Sequence, residues 1–291
     1  MSKPAKPIVA IMYDFDKTLS TKDMQEYGFI PNLGITSQQF WGGVEDFRES
    51  ENMDPILGYM RYMLKKASEK GLSVTRETFV SLGNGIEYFP GVEEWFERIN
   101  DYGKENGVEI EHYIISSGVK EIIEGSSINK YFKQVYACEF LYEDGVAVWP
   151  KLAVNYTNKT QFLFRINKGV LDIWDDKRLN MFVPENERRI PFRNMIYIGD
   201  GLTDVPCMKL VKSNNGQSIA VFNKCEKITA SRLMAEERVN FITEADYTAG
   251  SELDGIVKTI IEKISVVEKL ERLHDQHKTS INEPERGCDD R

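Results

Sequence analysis

Cysteine and histidine are scarce in this chain, its apolar runs are short, and it has no excess of positive charge. Its 291 residues include three histidines and four cysteines, and none of the cysteines forms a CxxC pair. The sequence therefore indicates neither a disulfide framework nor a zinc site. Scattered reduced thiols favour a cytoplasmic protein, which is the location we expect. The four cysteines are Cys138, Cys207, Cys225 and Cys288.

The apolar runs are too short for a membrane segment. Only the six residues Ile8–Tyr13 separate the polar N-terminal stretch from Asp14, which is too few for a signal peptide or a membrane span. The formal net charge of -9 argues against nucleic acid or an anionic membrane as the main partner, because both require a basic face. A negatively charged substrate could still bind through locally placed cations.

What the chain does contain is strands that alternate with helices. The hydrophobic content of 41% and charged content of 29% are typical of a globular protein with a real core. Residues 8–13, 108–117, 195–200 and 218–222 are short apolar runs typical of buried strands. Helical patterns such as residues 90–107 lie between them. This alternation predicts an α/β fold, a Rossmann-like doubly wound parallel sheet, with ligands at the carboxyl ends of the strands.

Two segments depart from that alternation. Residues 21–88 carry helical patterns without strands, with a capping box at Thr36 and Gln39 and a helix that starts at Asp54-Pro55. Asp144-Gly145 predicts a hairpin. The C-terminal run 255–278 predicts a long amphipathic helix, and the polar tail after it is predicted to be disordered.

Two aspartates, Asp14 and Asp16, stand where the first strand ends. The two-residue period of a strand places both on one side. A lone DxD is more often a turn with solvated carboxylates. Here Thr18 extends the pattern to DxDxT, and three further signals follow along the chain.

Each of these three signals has an ordinary structural explanation when it stands alone. Ser116-Ser117-Gly118 follows an apolar strand and offers a hydroxyl and amides to an anion, although such a sequence is usually a turn. Lys159 begins an apolar helical stretch, where a surface charge would be unremarkable. Asp200 and Asp204 lie in the loop GDGLTD, just past another strand.

Taken in order, the four motifs resemble those of the haloacid-dehalogenase-like superfamily. The resemblance covers about residues 8–254, and the helical segment occupies the position of that superfamily's type-1 cap. The hairpin before Lys159 is further similar to the phosphoserine-phosphatase-like branch. The implied organisation is a catalytic core at 1–20 and 89–260, a cap at 21–88, and a C-terminal helix with its tail at 261–291.

The resemblance also implies a reaction and its residues. Asp14 would be the nucleophile of a phosphomonoester hydrolase that forms an aspartyl phosphate, and Asp16 the acid and base. Branches that cleave carbon–halogen bonds lack the second acid, so Asp16 favours phosphoryl transfer. Mg²⁺ would neutralise the clustered charge. The implied metal residues are Asp14, Asp16, Asp200 and Asp204, and the implied phosphate-binding residues are Thr18, Ser116, Ser117, Gly118 and Lys159. Lys159 would also act in catalysis as a fixed positive charge on the transferring group, and Asp204 would orient that lysine or the metal waters.

Two alternatives remain open. A phosphomutase or phosphotransferase would use the same intermediate, and a non-catalytic binding protein could share the fold. The expected partner is a small soluble phosphorylated metabolite, and the sequence gives no signal for an oligomeric state.

Several other residues could be read as metal ligands or substrate contacts, but each has a better structural explanation. We expect surface histidines at His274 and His277, a core or edge histidine at His112, and loop salt bridges from Arg188, Arg189 and Arg193. Four insertion residues could face the active site, although at least half are expected in the cap core; they are Trp41, Arg48, Tyr59 and Tyr62.

Overall fold

The first strand of the chain is the central strand of a seven-stranded sheet and is buried along its whole length. The structure is a computed structural model that describes residues 6–224 and 226–282, with side chains as far as residue 278. Its strands are β1 (Ile8–Tyr13), β2 (Glu109–Val119), β3 (Phe132–Glu143), β4 (Val146–Leu152), β5 (Met195–Gly199), β6 (Gln217–Phe222) and β7 (Phe241–Glu244).

The sheet order is β4-β3-β2-β1-β5-β6-β7. Every neighbouring pair is parallel except the β3–β4 hairpin. The predicted α/β class with a mostly parallel sheet is therefore confirmed. At the hairpin turn, Asp144 and Gly145 both have positive φ, of 48° and 80°, as a two-residue hairpin of matching twist requires.

Helices connect the strands and cover both faces of the sheet. They are α1 (Phe29–Leu33), α2 (Ser37–Ser50), α3 (Pro55–Glu69), α4 (Arg76–Leu82), α5 (Val92–Glu105), α6 (Lys120–Glu124), α7 (Lys159–Lys168), α8 (Asp176–Asn180), α9 (Val205–Ser213), α10 (Lys227–Ala235) and α11 (Glu252–Asn282). Helix α5 packs against β2, and α11 packs against α5 and β7. Helix α7 also packs against β2, and its neighbour α9 packs against β5 and β6.

The helix-start signals of the insertion act as the sequence predicts. Thr36 accepts a hydrogen bond from the amide of Gln39, and the Gln39 side chain accepts one from the amide of Thr36, so the capping box is complete. The Asp54 carboxylate accepts hydrogen bonds from the amides of Ile56 and Leu57 at the start of α3. These bonds satisfy amides that have no partner inside the helix.

The insertion leaves the sheet and returns to it through a narrow neck. The amide of Thr21 donates to the carbonyl of Glu87 over 3.0 Å, and the amide of Phe89 donates to the carbonyl of Leu19 over 3.0 Å. The chain segments on either side of the insertion are thus paired with each other.

The last helix of the insertion, α4, also packs on the core. Phe79 stacks on Phe140 of β3, with ring centroids 5.3 Å apart and planes 1° from parallel. Gly125, at the end of α6, lies so close to α4 that a Cβ atom there would collide with the carbonyl of Val80. This contact requires glycine because no side chain fits between the two backbones.

A buried polar network holds β1 against α5. The indole of Trp95 donates to the Tyr13 hydroxyl over 2.9 Å, and that hydroxyl lies 3.0 Å from His112 Nδ1. The other ring nitrogen of His112 lies 3.2 Å from Asn100 Oδ1. Burial lowers the pKa of His112 to about 3. Of the two predicted positions for His112, core or edge, the structure shows the core.

Some elements differ from the prediction or were not predicted. Helix α11 runs to Asn282, four residues into the segment expected to be disordered. The rest of that predicted tail, Cys225 and Cys288 lie outside the described residues. Strand β7 and helices α8, α9 and α10 were not predicted. In the described ranges, no helix is long and apolar enough to cross a membrane.

Candidate active site

The carboxyl ends of β1 and β5 meet and bring the predicted acids together. Tyr13 is in register with Ile198, and the amide of Asp14 donates to the Ile198 carbonyl over 2.9 Å. Asp200 follows β5 directly. Carboxylate oxygens of Asp14, Asp200 and Asp204 all lie within 4.8 Å of one another. Residues that the sequence spaces far apart therefore form one acidic cluster.

Lys159 is the cation of this cluster. It is the first residue of α7 and is fully buried. Its Nζ donates to Asp204 Oδ1 over 2.8 Å and lies 3.1 Å from Asp14 Oδ1. Burial alone would lower the pKa of the Lys159 ammonium, but the Asp14 and Asp204 carboxylates raise it well above its usual range. The lysine is therefore charged even without substrate.

Asp204 is engaged on both carboxylate oxygens. Its Oδ1 accepts hydrogen bonds from Lys159 and from the Tyr197 hydroxyl, the latter over 2.7 Å. Its Oδ2 accepts from the amide of Gly201 over 3.4 Å. The residue is fully buried, so these bonds fix its orientation.

The negative charge of the cluster exceeds the single positive charge. Burial, and then the neighbouring carboxylates, raise the pKa of Asp14 to about 6 and of Asp200 to about 8. Asp14 Oδ1 is paired with the Lys159 ammonium and has no further partner within the described part of the chain. A cluster of this kind has the chemistry of a site for a hard divalent cation.

Asp16 stands in a turn that folds back on β1. The amides of Leu19 and Ser20 donate to the carbonyl of Phe15, over 2.9 and 3.1 Å. Lys17 adopts a positive φ of 56°, and its ammonium pairs with Asp23 at 2.8 Å. Asp16 Oδ1 accepts from the amide of Met24 over 2.8 Å. Burial, and then the charges of Asp23 and Asp14, raise the pKa of Asp16 well above its usual range.

Apart from Lys159, the predicted phosphate-binding residues lie just after β1 and in the last residues of β2. The Thr18 hydroxyl and the Ser117 hydroxyl are buried without a hydrogen-bond partner among the described residues. Ser116 Oγ accepts from the amide of Gly118 over 3.0 Å. A Cβ atom on Gly118 would collide with Met24 and lie 3.1 Å from Asp16 Oδ2, so the DxDxT turn and the serine loop approach each other through this glycine.

The insertion reaches the site through Tyr59. Its hydroxyl donates to the carbonyl of Ser117 over 2.8 Å. Beside this contact is a cavity of about 310 Å³ that is bounded by Asp16, by Ser117 and by insertion residues, among them Trp41, Arg48 and Tyr59. We call it the insertion cavity. Of the four insertion residues singled out from the sequence, Tyr62 alone does not line it.

Two cavity residues, Asp23 and Gln25, were missed from the sequence. Both follow the DxDxT turn within nine residues of Asp16, and that closeness along the chain is the signal that could have found them. Gln25 is only 2% exposed, and its side-chain oxygen has no partner in the described part of the chain.

The other residues singled out from the sequence lie away from the cluster. Arg189 and Arg193 form ion pairs with Glu111 and Glu268, as expected for a salt-bridge cluster, and the guanidinium of Arg188 donates to the carbonyl of Val183. The side chains of His274 and His277 are exposed on α11.

The sequence of the chain is similar to those of known proteins. Residues 11–209 match the sequence model of the haloacid dehalogenase-like hydrolases. An uncharacterized protein of Borreliella burgdorferi is 32% identical over 285 residues, which cover 88% of this chain and 96% of that protein.

Solved structures of distant sequence share the fold. A HAD family hydrolase from Salmonella enterica serovar Typhi superposes with a TM-score of 0.52 at 19% identity, covering 82% of this chain and 69% of that one. A substrate-bound phosphoserine phosphatase superposes with a TM-score of 0.53 at 15% identity, and the match covers 87% of this chain and 99% of that one. A probable phosphoserine phosphatase from Vibrio cholerae superposes with a TM-score of 0.54 at 13% identity, and the match covers 91% of this chain and 67% of that one.

Proposed function

The chain belongs to the haloacid dehalogenase-like hydrolases, and from that premise we propose that it is a Mg²⁺-dependent phosphatase of small phosphomonoesters. The observation that carries the proposal is the fully buried Lys159 between Asp14 and Asp204, at the point where two parallel strands end. A fixed cation beside a carboxylate nucleophile is suited to a transferring phosphoryl group, whose charge is spread over its oxygens.

The donor set fits Mg²⁺, which prefers oxygen ligands and few carboxylates. The side chains of Asp14 and Asp200 and the backbone carbonyl of Asp16 would hold the ion. Both oxygens of Asp204 already accept hydrogen bonds, so we propose that Asp204 positions Lys159 instead of binding the metal. When bound, the ion neutralises charge on the phosphoryl oxygens.

In the first half of the reaction, a carboxylate oxygen of Asp14 attacks phosphorus. The Asp14–phosphorus bond forms as the bond from phosphorus to the ester oxygen breaks. Asp16 gives its proton to that departing oxygen, and the upward shift of its pKa by burial and by the charges of Asp23 and Asp14 favours the protonated form that this role needs. Lys159 stays beside the phosphoryl group. The hydroxyls of Thr18, Ser116 and Ser117 would bind the phosphoryl oxygens, together with the amide of Gly118, which would exchange its bond to Ser116 Oγ for one to the phosphoryl group.

In the second half, a water molecule attacks the aspartyl phosphate. Asp16, now ionised, accepts the water proton as the new oxygen–phosphorus bond forms. The Asp14–phosphorus bond breaks, which returns both residues to their starting states and releases inorganic phosphate.

We further propose that residues 21–88 act as a cap on a core formed by residues 1–20 and 89–260, with residues 261–291 as an extension. The contact of Tyr59 with the Ser117 carbonyl supports this role because it links the insertion to the phosphate-binding loop. A cap in this place would exclude water during phosphoryl transfer and contact the leaving group.

Release of inorganic phosphate from a phosphomonoester panel that includes p-nitrophenyl phosphate, with Mg²⁺ and no acceptor, tests the proposal. We expect wild-type turnover, none in Asp14→Asn, and normal turnover in the control Asp101→Asn, whose side chain is exposed on α5. A beryllium fluoride adduct should form on Asp14. Turnover that requires an added acceptor alcohol would indicate a phosphotransferase, and substantial activity in Asp14→Asn would refute the nucleophile.

A further inference from the structure

The insertion cavity contains buried polar groups that the chain leaves without partners. Trp41 Nε1, the Gln25 side-chain oxygen and Ser117 Oγ are each buried with no hydrogen-bond partner in the described ranges, and all three residues line this one cavity. Buried polar groups in folded proteins almost always have partners. Three exceptions around one cavity point to a ligand that supplies them.

The charged groups of the same cavity are already paired. The Arg48 guanidinium donates to both carboxylate oxygens of Glu45, one of these bonds measuring 2.7 Å. Asp23 pairs with Lys17 at 2.8 Å. Apart from Asp16, the proposed acid, each charged lining residue therefore has a counter-charge from the chain itself. A charged leaving group would find no unpaired counter-charge there.

The remaining walls are apolar and the space is small. Val44, Pro55 and Ile56 form part of the lining, and the cavity volume of about 310 Å³ is at the lower end for small-molecule sites. The indole of Trp41 can only donate a hydrogen bond, whereas the amide of Gln25 can donate or accept. The complementary leaving group is small and uncharged, and it has hydroxyl-type groups on an apolar frame.

We propose that the natural substrate is a small polyol monophosphate, and that Trp41 and Gln25 bind the free hydroxyls of its leaving group. This inference rests on the proposed phosphatase function and adds the substrate class. Because Asp16 lines the same cavity, a polyol bound there has its ester oxygen next to the acid that protonates it.

A matched pair of substrates tests the inference directly. Glycerol 1-phosphate and propyl phosphate share a three-carbon chain and differ in two hydroxyls. We expect kcat/KM for glycerol 1-phosphate to exceed that for propyl phosphate by about 100-fold, roughly tenfold for each hydrogen bond made in a buried site. Phosphoethanolamine, phosphoserine and 3-phosphoglycerate, whose leaving groups are charged, should all fall below glycerol 1-phosphate.

Two variants connect the preference to its residues. Trp41→Phe keeps an aromatic ring but removes the donor, and Gln25→Met keeps the length but removes the amide. Each should lower the ratio of the two kcat/KM values by about tenfold. The controls Trp174→Phe and Gln38→Met, at exposed positions, should keep the wild-type ratio. Thermal unfolding of each variant verifies folding.

The possible failures are distinguishable. If phosphate is released from several esters but a charged ester is preferred, or if neither variant changes the ratio, the polyol inference is overturned and the phosphatase proposal stands. If no ester in the panel, including p-nitrophenyl phosphate, is hydrolysed in the presence of Mg²⁺, the proposed function is refuted and the inference falls with it.

Discussion

Replacement of Lys159 by methionine removes one charge while keeping most of the side-chain volume. In the wild type that charge lies 2.8 Å from Asp204 Oδ1 and 3.1 Å from Asp14 Oδ1, with no exposed surface on the lysine. The variant leaves two buried carboxylates without their cation. Removal of one partner from a buried ion pair costs about 3–5 kcal/mol of unfolding free energy. We expect a loss of this size in metal-free buffer.

Turnover should fall as well, for a separate reason. A preorganised charge that contacts the transferring group contributes on the order of 10²-fold or more to the rate. Added Mg²⁺ should recover part of the lost stability of Lys159→Met, because the ion supplies positive charge to Asp14. It should not recover turnover.

Urea unfolding followed by circular dichroism measures the stability change, and phosphate release measures the rate. In the double variant Lys159→Met/Asp204→Asn, one orphaned carboxylate is gone, so it should be more stable than Lys159→Met by about 1–3 kcal/mol. Lys104→Met, on an exposed face of α5, is the matched control and should leave stability unchanged. A loss below about 1 kcal/mol in Lys159→Met, or a double variant no more stable than the single one, would refute the reasoning.

Two further predictions concern the metal and the core. Chelation should abolish activity and Mg²⁺ should restore it, with Ca²⁺ a poor substitute because its coordination shell is larger and looser. Mg²⁺ should also raise the melting temperature of wild type and of Asp16→Asn, which keeps its backbone ligand, but not of Asp200→Asn; an equal rise in Asp200→Asn would contradict the ligand assignment. His112 has a folded pKa of about 3, below its unfolded value, so its contribution to stability is lost as the pH falls below about 6.5. Between pH 7 and pH 5 the free energy of unfolding, measured with urea, should fall by about 2 kcal/mol more in the wild type than in His112→Gln. If the free energy of unfolding depends on pH in the same way in both proteins, this prediction is wrong.

The sequence predicted those strands and helices whose apolar pattern is clear and ends at a polar or turn-forming residue. The bounds of β1 were predicted to the residue because Asp14 ends its apolar run. Strand β7 was missed because three of its four residues are not buried, so it lacks an apolar run. The order of the four motifs was enough to place Asp14, Lys159 and Asp200 at one end of the sheet.

The partners of those residues could not be predicted in the same way. The resemblance implied that Asp204 orients Lys159 or the metal waters, and the fold shows the bond from Lys159 to Asp204. Nothing in the sequence indicated that the Tyr197 hydroxyl also donates to Asp204. The contact of Tyr59 with the Ser117 carbonyl joins residues 58 positions apart, the first on α3 and the second on β2. Such pairings depend on how the insertion packs on the core, and no local pattern encodes that packing.

The paired neck of the insertion has a consequence for recombination between related genes. Because Leu19 and Phe89 are already hydrogen-bonded to each other, the two chain ends left by excision of residues 21–88 are neighbours, and a short connector can join them without rethreading the sheet. A foreign insertion could be joined to the same two chain ends, because their separation does not depend on what lies between them. Phe140 is an obstacle, because it stacks on Phe79 in the intact protein. In a chimaera without Phe79 its ring would be exposed to solvent and would favour aggregation. A successful exchange must therefore bring its own aromatic partner for Phe140, or replace Phe140 with a polar residue.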